Sequence, residues 1–112
     1  MSTETATLLR NAKALIEDLA NWTTRELARD ANGNPCSPTA PEACKFCAIG
    51  ALQRARRSLG SISNPIYRAA RAALDNATAL PSESVPYTND YKGHGAVLRL
   101  FDKAIASEET KG

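Results

Sequence analysis

Three cysteines and one histidine are the residues of this sequence best suited to act as nucleophile, redox group or metal ligand. Cys44 and Cys47 form a Cys-x-x-C pair, the spacing of dithiol redox sites at helix N-termini. Cys47, His94 and Asp90 are the types required for a nucleophile, a base and a group that orients the base. Cys36 adds a third thiol. The three cysteines and His94 are all residue types that bind zinc, but the sequence lacks the second closely spaced pair that a zinc site needs.

Each of these sites also has a simpler interpretation. No βαβ pattern precedes the cysteine pair, and both cysteines fall on an apolar stripe where they would be inert core residues. His94, near a helix N-terminus, would stay neutral and bond within the core, while Asn89 or Asp90 would cap that helix. We therefore assign no catalytic residue, metal or cofactor, and keep Cys47, His94 and Asp90 as candidates for an alternative, enzymatic function.

The helix that would position the cysteines is predicted over residues 41–60. Pro41 suits the first helical position, and Gly60 suits a left-handed C-cap. The first half is apolar on all sides, which predicts a buried central helix that packs against the other helices. Gly50 inside it costs about 1 kcal/mol relative to Ala, and close approach of a neighbouring backbone would offset that cost.

Three further helices are predicted from apolar residues at helical spacing. The first covers residues 3–20 and the fourth roughly 91–107. The third begins after Ser63, which can cap it, and has Pro65 in its first turn. Trp22 follows the first helix and is predicted to pack on the core, where its indole N–H needs a partner. Together the four helices predict a mainly α single domain over residues 1–112.

The connections between these helices carry turn signals. Residues 23–40 are irregular, and Asn32-Gly33 within them predicts a turn or a small hairpin. Residues 79–91 form a long connection with two prolines and with Tyr87 and Tyr91. Connections of this length in a compact domain are often functional, so both tyrosines are candidate binding residues.

Charge provides a second candidate surface. The chain has 14 basic and 12 acidic residues, a net charge of +2, which globally indicates no nucleic-acid footprint. Basic residues nevertheless concentrate on the second and third predicted helices, which would suit a helix-turn-helix that contacts phosphates. A plain solvated face is the simpler explanation of these residues, and an acidic protein partner is a further alternative. The arginines concerned are Arg54, Arg56, Arg57, Arg68 and Arg71.

The sequence predicts a cytoplasmic protein. No apolar stretch approaches the roughly 18 residues of a membrane span, so no membrane partner is expected. The first ten residues lack the basic start and apolar region of a signal peptide. An odd number of cysteines does not fit a secreted disulfide framework.

Four short blocks of sequence, spread from residue 21 to residue 105, form one pattern. They are Asn21-Trp22-Thr23, residues 28–33 (ARDANG), residues 47–52 (CAIGAL), and a last block of Asn89-Asp90, His94 and residues 97–105 (VLRLFDKAI). In these blocks the chain resembles a family of short uncharacterised proteins from bacteria and their phages. The resemblance implies no activity, but it singles out Trp22, Cys47, Asn89, Asp90 and His94 and leaves Cys36 and Cys44 outside the pattern.

The function that follows is a small non-enzymatic protein-interaction module, with inhibition of a host or defence complex by a phage or mobile element as one concrete form. Its candidate binding residues are Arg54, Arg57, Arg68, Arg71, Tyr87 and Tyr91. One alternative is a nucleic-acid-binding regulator that uses the four arginines. The other is a small enzyme that uses Cys47 and His94.

Overall fold

Helices with one apolar face make up most of the fold. The computed structural model describes residues 2–111, and the side chains of residues 4–110. The long helices are α1 (Ser2–Ile16), α2 (Ala48–Leu59), α3 (Asn64–Ala77) and α5 (His94–Lys111), with a short α4 (Val85–Tyr87) before the last. Two short strands, β1 (Ala28–Arg29) and β2 (Lys45–Phe46), form an antiparallel pair. The predicted mainly α single domain is confirmed.

The helix at the centre of this domain is α1, which packs against α2, α3 and α5. Its apolar stripe is fully buried at Leu8, Leu9, Ala12 and Ile16. The prediction that residues 41–60 form the helix that packs against the other three was therefore wrong. Helix α2 is buried along its first half, but it packs chiefly against α1.

Helix α2 also begins later than predicted, at Ala48 rather than Pro41. Residues 45–46 are extended instead, because they pair with β1 in the register Ala28 to Phe46 and Arg29 to Lys45. Cys47 then becomes the N-cap, and its Sγ accepts a hydrogen bond from the Gly50 N–H at 3.3 Å. The end is as predicted, since Gly60 caps the helix with a φ of 86°.

The close backbone approach expected at Gly50 is confirmed. A Cβ at this position would overlap the carbonyl oxygen of Leu27. The same carbonyl accepts a hydrogen bond from the Cys47 N–H at 3.2 Å. The segment before β1 is thus fastened directly to the first turn of α2, with no room for any side chain between them.

Residues 23–40 form the predicted turn, but only part of the predicted hairpin. Gly33 has a φ of 85°, and the Asp30 carboxylate accepts hydrogen bonds from the N–H groups of Asn32 and Asn34. Across this turn a single bridge joins Arg29 to Pro35. Proline lacks the N–H that would continue the ladder on this edge, and the other edge of β1 pairs with β2.

Helix α3 begins as its sequence predicts, with the Ser63 Oγ accepting from the Ile66 N–H. The long connection after α3 contains α4 and a π-helical turn over Thr88–Lys92. Gly93, with a φ of 96°, separates this turn from α5. The prediction that Asn89 or Asp90 caps the fourth helix was therefore wrong. Both residues lie in the π-helical turn, and their side chains form hydrogen bonds with other parts of the chain.

Candidate functional site

Asn89 lies at the centre of a buried hydrogen-bond network. It is 1% exposed, and its Oδ1 accepts from the Trp22 indole N–H at 2.8 Å and from the Ala48 N–H at 3.0 Å. Its Nδ2 donates to the Thr23 carbonyl at 3.0 Å and to Asp90 Oδ1 at 3.1 Å. The amide thus uses both acceptor and both donor positions. These residues, the Asn89 network, join the segment after α1, the start of α2 and the π-helical turn, and they give Trp22 its predicted partner.

The Asn89 network reaches the surface at Arg25. Asp90 Oδ1 also accepts from the Arg25 N–H at 2.9 Å. Arg25 has a φ of 71°, a left-handed conformation that residues other than glycine rarely adopt and that often marks functional sites. Its guanidinium lies 5.4 Å from the ring centre of Tyr91, which in turn lies 5.1 Å from the ring of Tyr87.

His94 bonds to a different part of the fold. Its Nε2 donates to the Ile16 carbonyl at 2.6 Å, one of the carbonyls that the C-terminus of α1 leaves without a helical partner. The ring also lies 5.3 Å from that of Trp22. The histidine therefore joins the start of α5 to the end of α1.

The Cys47 thiol is a poor nucleophile in this environment. Burial raises the pKa of the thiol, and the nearby Asp90 carboxylate raises it further, against the opposing effect of backbone N–H groups such as that of Gly50. The thiol is therefore neutral at physiological pH. Within residues 4–110, no hydrogen bond joins Cys47 to His94, or His94 to Asp90, so the three candidates do not form a nucleophile–base–orienter chain.

The other two cysteines lie apart from Cys47. Cys44 is exposed and precedes β2, whereas Cys36 is half-buried and its N–H bonds to the Ala28 carbonyl on β1. All three are free thiols. In the described part of the chain, no three His, Cys, Asp or Glu side chains are grouped so that they would hold a metal ion. Cys44 and Cys47 also do not share the first turns of one helix, the arrangement a redox pair needs.

A cleft of about 350 Å³ opens beside the Asn89 network. Its apolar walls come from Leu27, Ile49 and Pro86, and its two cationic groups are Arg25 and Arg71. We call it the Arg25–Arg71 cleft. The remaining lining residues are Glu26, Cys47, Ala48, Asn89 and Asp90. A mostly apolar cavity with a few placed polar groups is typical of ligand and peptide sites.

The comparison with protein families is decisive about relationship but silent about activity. A family described as of unknown function matches residues 1–107. The chain belongs to this family, DUF6197. No curated protein and no solved structure matches the chain. DUF6197 therefore confirms the predicted membership of an uncharacterised family. In addition, none of the helices within residues 2–111 of this DUF6197 chain is long and apolar enough to cross a membrane.

Arg54, a candidate binding residue, is engaged inside the DUF6197 fold. Its Nη1 donates to the carbonyls of Pro38 and Ala40, at 3.0 and 2.8 Å. Its guanidinium also lies 5.5 Å from the ring centre of Phe46. These contacts hold the turn that precedes β2 against α2.

The other predicted arginines lie in three different environments. Arg56 donates to the Ile62 carbonyl and to Asn64 Oδ1, and so fastens the α2–α3 connection. Arg57 and Arg68 are exposed, whereas Arg71 lines the Arg25–Arg71 cleft. The structure thus brings Arg71, but not Arg54, to the cleft, whereas Tyr91 and Tyr87 do not line it and are connected to it through the contact of Tyr91 with Arg25.

Sequence reasoning missed Arg25, Leu27 and Pro86 as lining residues. The sequence carries a sign of Pro86, since the long connection with its prolines and tyrosines was recognised as a candidate. The sequence carries no sign of Arg25, because its left-handed conformation depends on a hydrogen bond to Asp90, a residue 65 positions further along the chain. In the sequence Leu27 is an ordinary apolar residue, and only the structure shows that its backbone packs directly against Gly50.

Proposed function

We propose that this protein is a small non-enzymatic protein-interaction module that binds a segment of its partner in the Arg25–Arg71 cleft. The observation that carries the proposal is a set of exposed side chains at the cleft: Leu27 lines it, and Tyr91 contacts both the lining residue Arg25 and Tyr87. Tyr87 is 44% exposed, Tyr91 64% and Leu27 43%. Tyrosine and arginine around an apolar depression are the composition of binding hot spots.

Rigidity of the surrounding backbone supports the same function. The Asn89 network fixes Arg25 and the π-helical turn, so little conformational entropy remains to be lost when a partner binds. The enzymatic alternative receives less support, because the Cys47 thiol is neutral and His94 is turned towards α1. The nucleic-acid alternative loses one of its four arginines, Arg54, to intramolecular hydrogen bonds.

In its most concrete form, the module is a cytoplasmic inhibitor of a host or defence complex, carried by a phage or mobile element. The small size of the chain supports this setting, as does its sequence resemblance to short bacterial and phage proteins. A protein of this kind needs only one well-shaped surface, and the Arg25–Arg71 cleft with its tyrosine rim would supply it.

The test is capture from a nuclease-treated bacterial lysate on the immobilised protein, with variants of the cleft and a matched control. Leu27→Asp and Tyr91→Ser should each lose a discrete protein that the wild type retains. Leu80→Asp changes another exposed leucine that does not line the cleft, and it should retain that protein. Far-UV circular dichroism checks that the variants fold. Capture that is indifferent to the cleft variants, or recovery of nucleic acid alone, would refute the proposal.

A further inference from the structure

We infer that the segment bound by the Arg25–Arg71 cleft presents one carboxylate beside a large apolar side chain. The carboxylate pairs with the two guanidinium groups, and the apolar side chain packs between Leu27, Ile49 and Pro86. This inference rests on the proposed function and specifies the chemistry of its partner.

Arg71 supplies the first reason for a carboxylate. Its Nε is buried and forms an ion pair with Asp75, but Asp75 Oδ1 is 3.6 Å away, too far for a hydrogen bond, so the Nε–H has no acceptor. A buried donor without an acceptor is uncommon in folded proteins and costs free energy until a partner supplies one. A carboxylate that enters the cleft would satisfy it.

Arg25 supplies a second set of donors. Among the residues that the structure describes, its guanidinium has no acceptor and rests only on the ring of Tyr91. Its backbone is held by Asp90, so the side chain starts from a fixed point beside the cleft. A planar guanidinium with free N–H groups matches the two oxygens of a carboxylate.

The acidic residues of the cleft limit how much negative charge it accepts. Asp90 Oδ1 already receives two N–H donors and stabilises the fold. Glu26 is exposed and lines the same cleft, so a run of acidic residues would meet repulsion from it. The balance favours a single carboxylate with an apolar neighbour over a polyacidic segment or a nucleic-acid backbone.

The test is selection of random short peptides displayed on yeast against the full chain, followed by titration of an enriched peptide. We expect enrichment of Asp or Glu beside a large apolar residue. Replacing that acid with its amide should weaken binding about tenfold or more, the loss expected for one charge-assisted hydrogen bond. Arg71→Gln and Arg25→Gln should weaken binding similarly. Arg57→Gln and Arg68→Gln make the same charge change at exposed sites outside the cleft and should have no such effect.

The outcomes separate this inference from the proposed function. Peptides that depend on Tyr91 and Leu27 but show no acid preference, or that bind Arg71→Gln unchanged, overturn the carboxylate inference and leave the interaction module standing. Equal binding of polyacidic peptides overturns it as well. A library that yields no peptide for the cleft also counts against it, and the lysate capture then decides the proposed function independently.

Discussion

At the scale of single residues, most of the polar side chains that the sequence pattern singles out hold the fold together. Asn89 bonds to two other segments, His94 bonds to the end of α1, and the Trp22 indole bonds to Asn89. Because these side chains have a structural role, their presence in the sequence pattern does not require a substrate. Their functional effect is indirect, because they fix the position of Arg25 and the tyrosines beside the cleft.

Replacement of Asn89 by alanine should be strongly destabilising. It would leave the Trp22 and Ala48 N–H groups and the Thr23 carbonyl without partners in a buried site. We expect the free energy of unfolding to fall by about 2–4 kcal/mol in urea titration. Asn76→Ala removes an exposed asparagine and should change it by less than about 0.5 kcal/mol. Equal effects of the two substitutions would contradict a structural role for Asn89.

The three thiols should differ sharply in reactivity. Cys44 is exposed and should react rapidly with iodoacetamide at neutral pH, whereas Cys47 should react only when the protein unfolds, because burial raises its pKa. Double Cys→Ser variants that leave one thiol at a time identify each site. A Cys47 that reacts as fast as Cys44 in the native protein would revive the enzymatic alternative.

The raised pKa of Cys47 also predicts how stability depends on pH. The native thiol keeps its proton at pH values where the unfolded thiol, with a pKa of about 8.5, has lost it. Its contribution to stability is therefore complete below that pH and is lost as the pH rises towards the native pKa. The stability advantage of the wild type over Cys47→Ala, measured by urea titration, should decline above about pH 8.5. An advantage that grows with pH would show a lowered pKa instead.

At the scale of elements, the contact that positions the cleft is the one between α2 and the segment before β1. The Leu27 carbonyl lies against Gly50 and accepts from Cys47, so the start of the helix and one wall of the cleft are placed by the same backbone. Strand β1 then holds β2, which delays the start of α2 to Ala48. Pro41 suits a helix start locally, but strand pairing of residues 45–46 prevents the helix from beginning there.

Gly50→Ala tests this contact, since its methyl group would meet backbone rather than a flexible side chain. We expect a loss of about 1–3 kcal/mol, despite the better helix propensity of alanine. Gly95→Ala is the matched control, because its nearest neighbour is the mobile Arg99 side chain at 3.3 Å. That variant should be unchanged or more stable by up to about 1 kcal/mol. Gly50→Ala that is as stable as the wild type would mean that Leu27 is free to move away.

At the scale of the whole molecule, one continuous apolar core joins the helices around α1. The Cα radius of gyration, 13.0 Å, agrees with the roughly 13 Å expected for a folded domain of this length. Ion pairs such as Lys13–Asp102 and Arg10–Glu109 also link α1 to α5, but the paired carboxylates are more than half exposed and each pair contributes less than about 1 kcal/mol.

A single core predicts a single unfolding transition. Trp22 contacts the Asn89 network and His94, so its fluorescence reports on the cleft, whereas far-UV circular dichroism reports on all the helices. The two urea transitions should coincide. A fluorescence change that precedes the loss of helix would mean instead that the cleft region unfolds independently.

The sequence predicts well those features that depend on neighbouring residues. The Ser63 cap, the Gly60 terminus and the need for space at Gly50 all follow from local chemistry. The start of α2 does not, because a strand from another part of the chain decides it. The cleft could not be predicted from the sequence either, since it is formed by segments that are distant in sequence, and the conformation of Arg25 depends on the Asn89 network.

The central position of α1 has a consequence for synthesis on the ribosome. This helix leaves the ribosome before α5, and the Ile16 carbonyl finds His94 only after 78 further residues have been made. At about 5–20 residues per second, that delay is roughly 4–16 s. During this time the apolar side of α1 lacks its last partner, α5. Until α5 has been made, α2 and α3 are the long helices that can cover the apolar surface of α1.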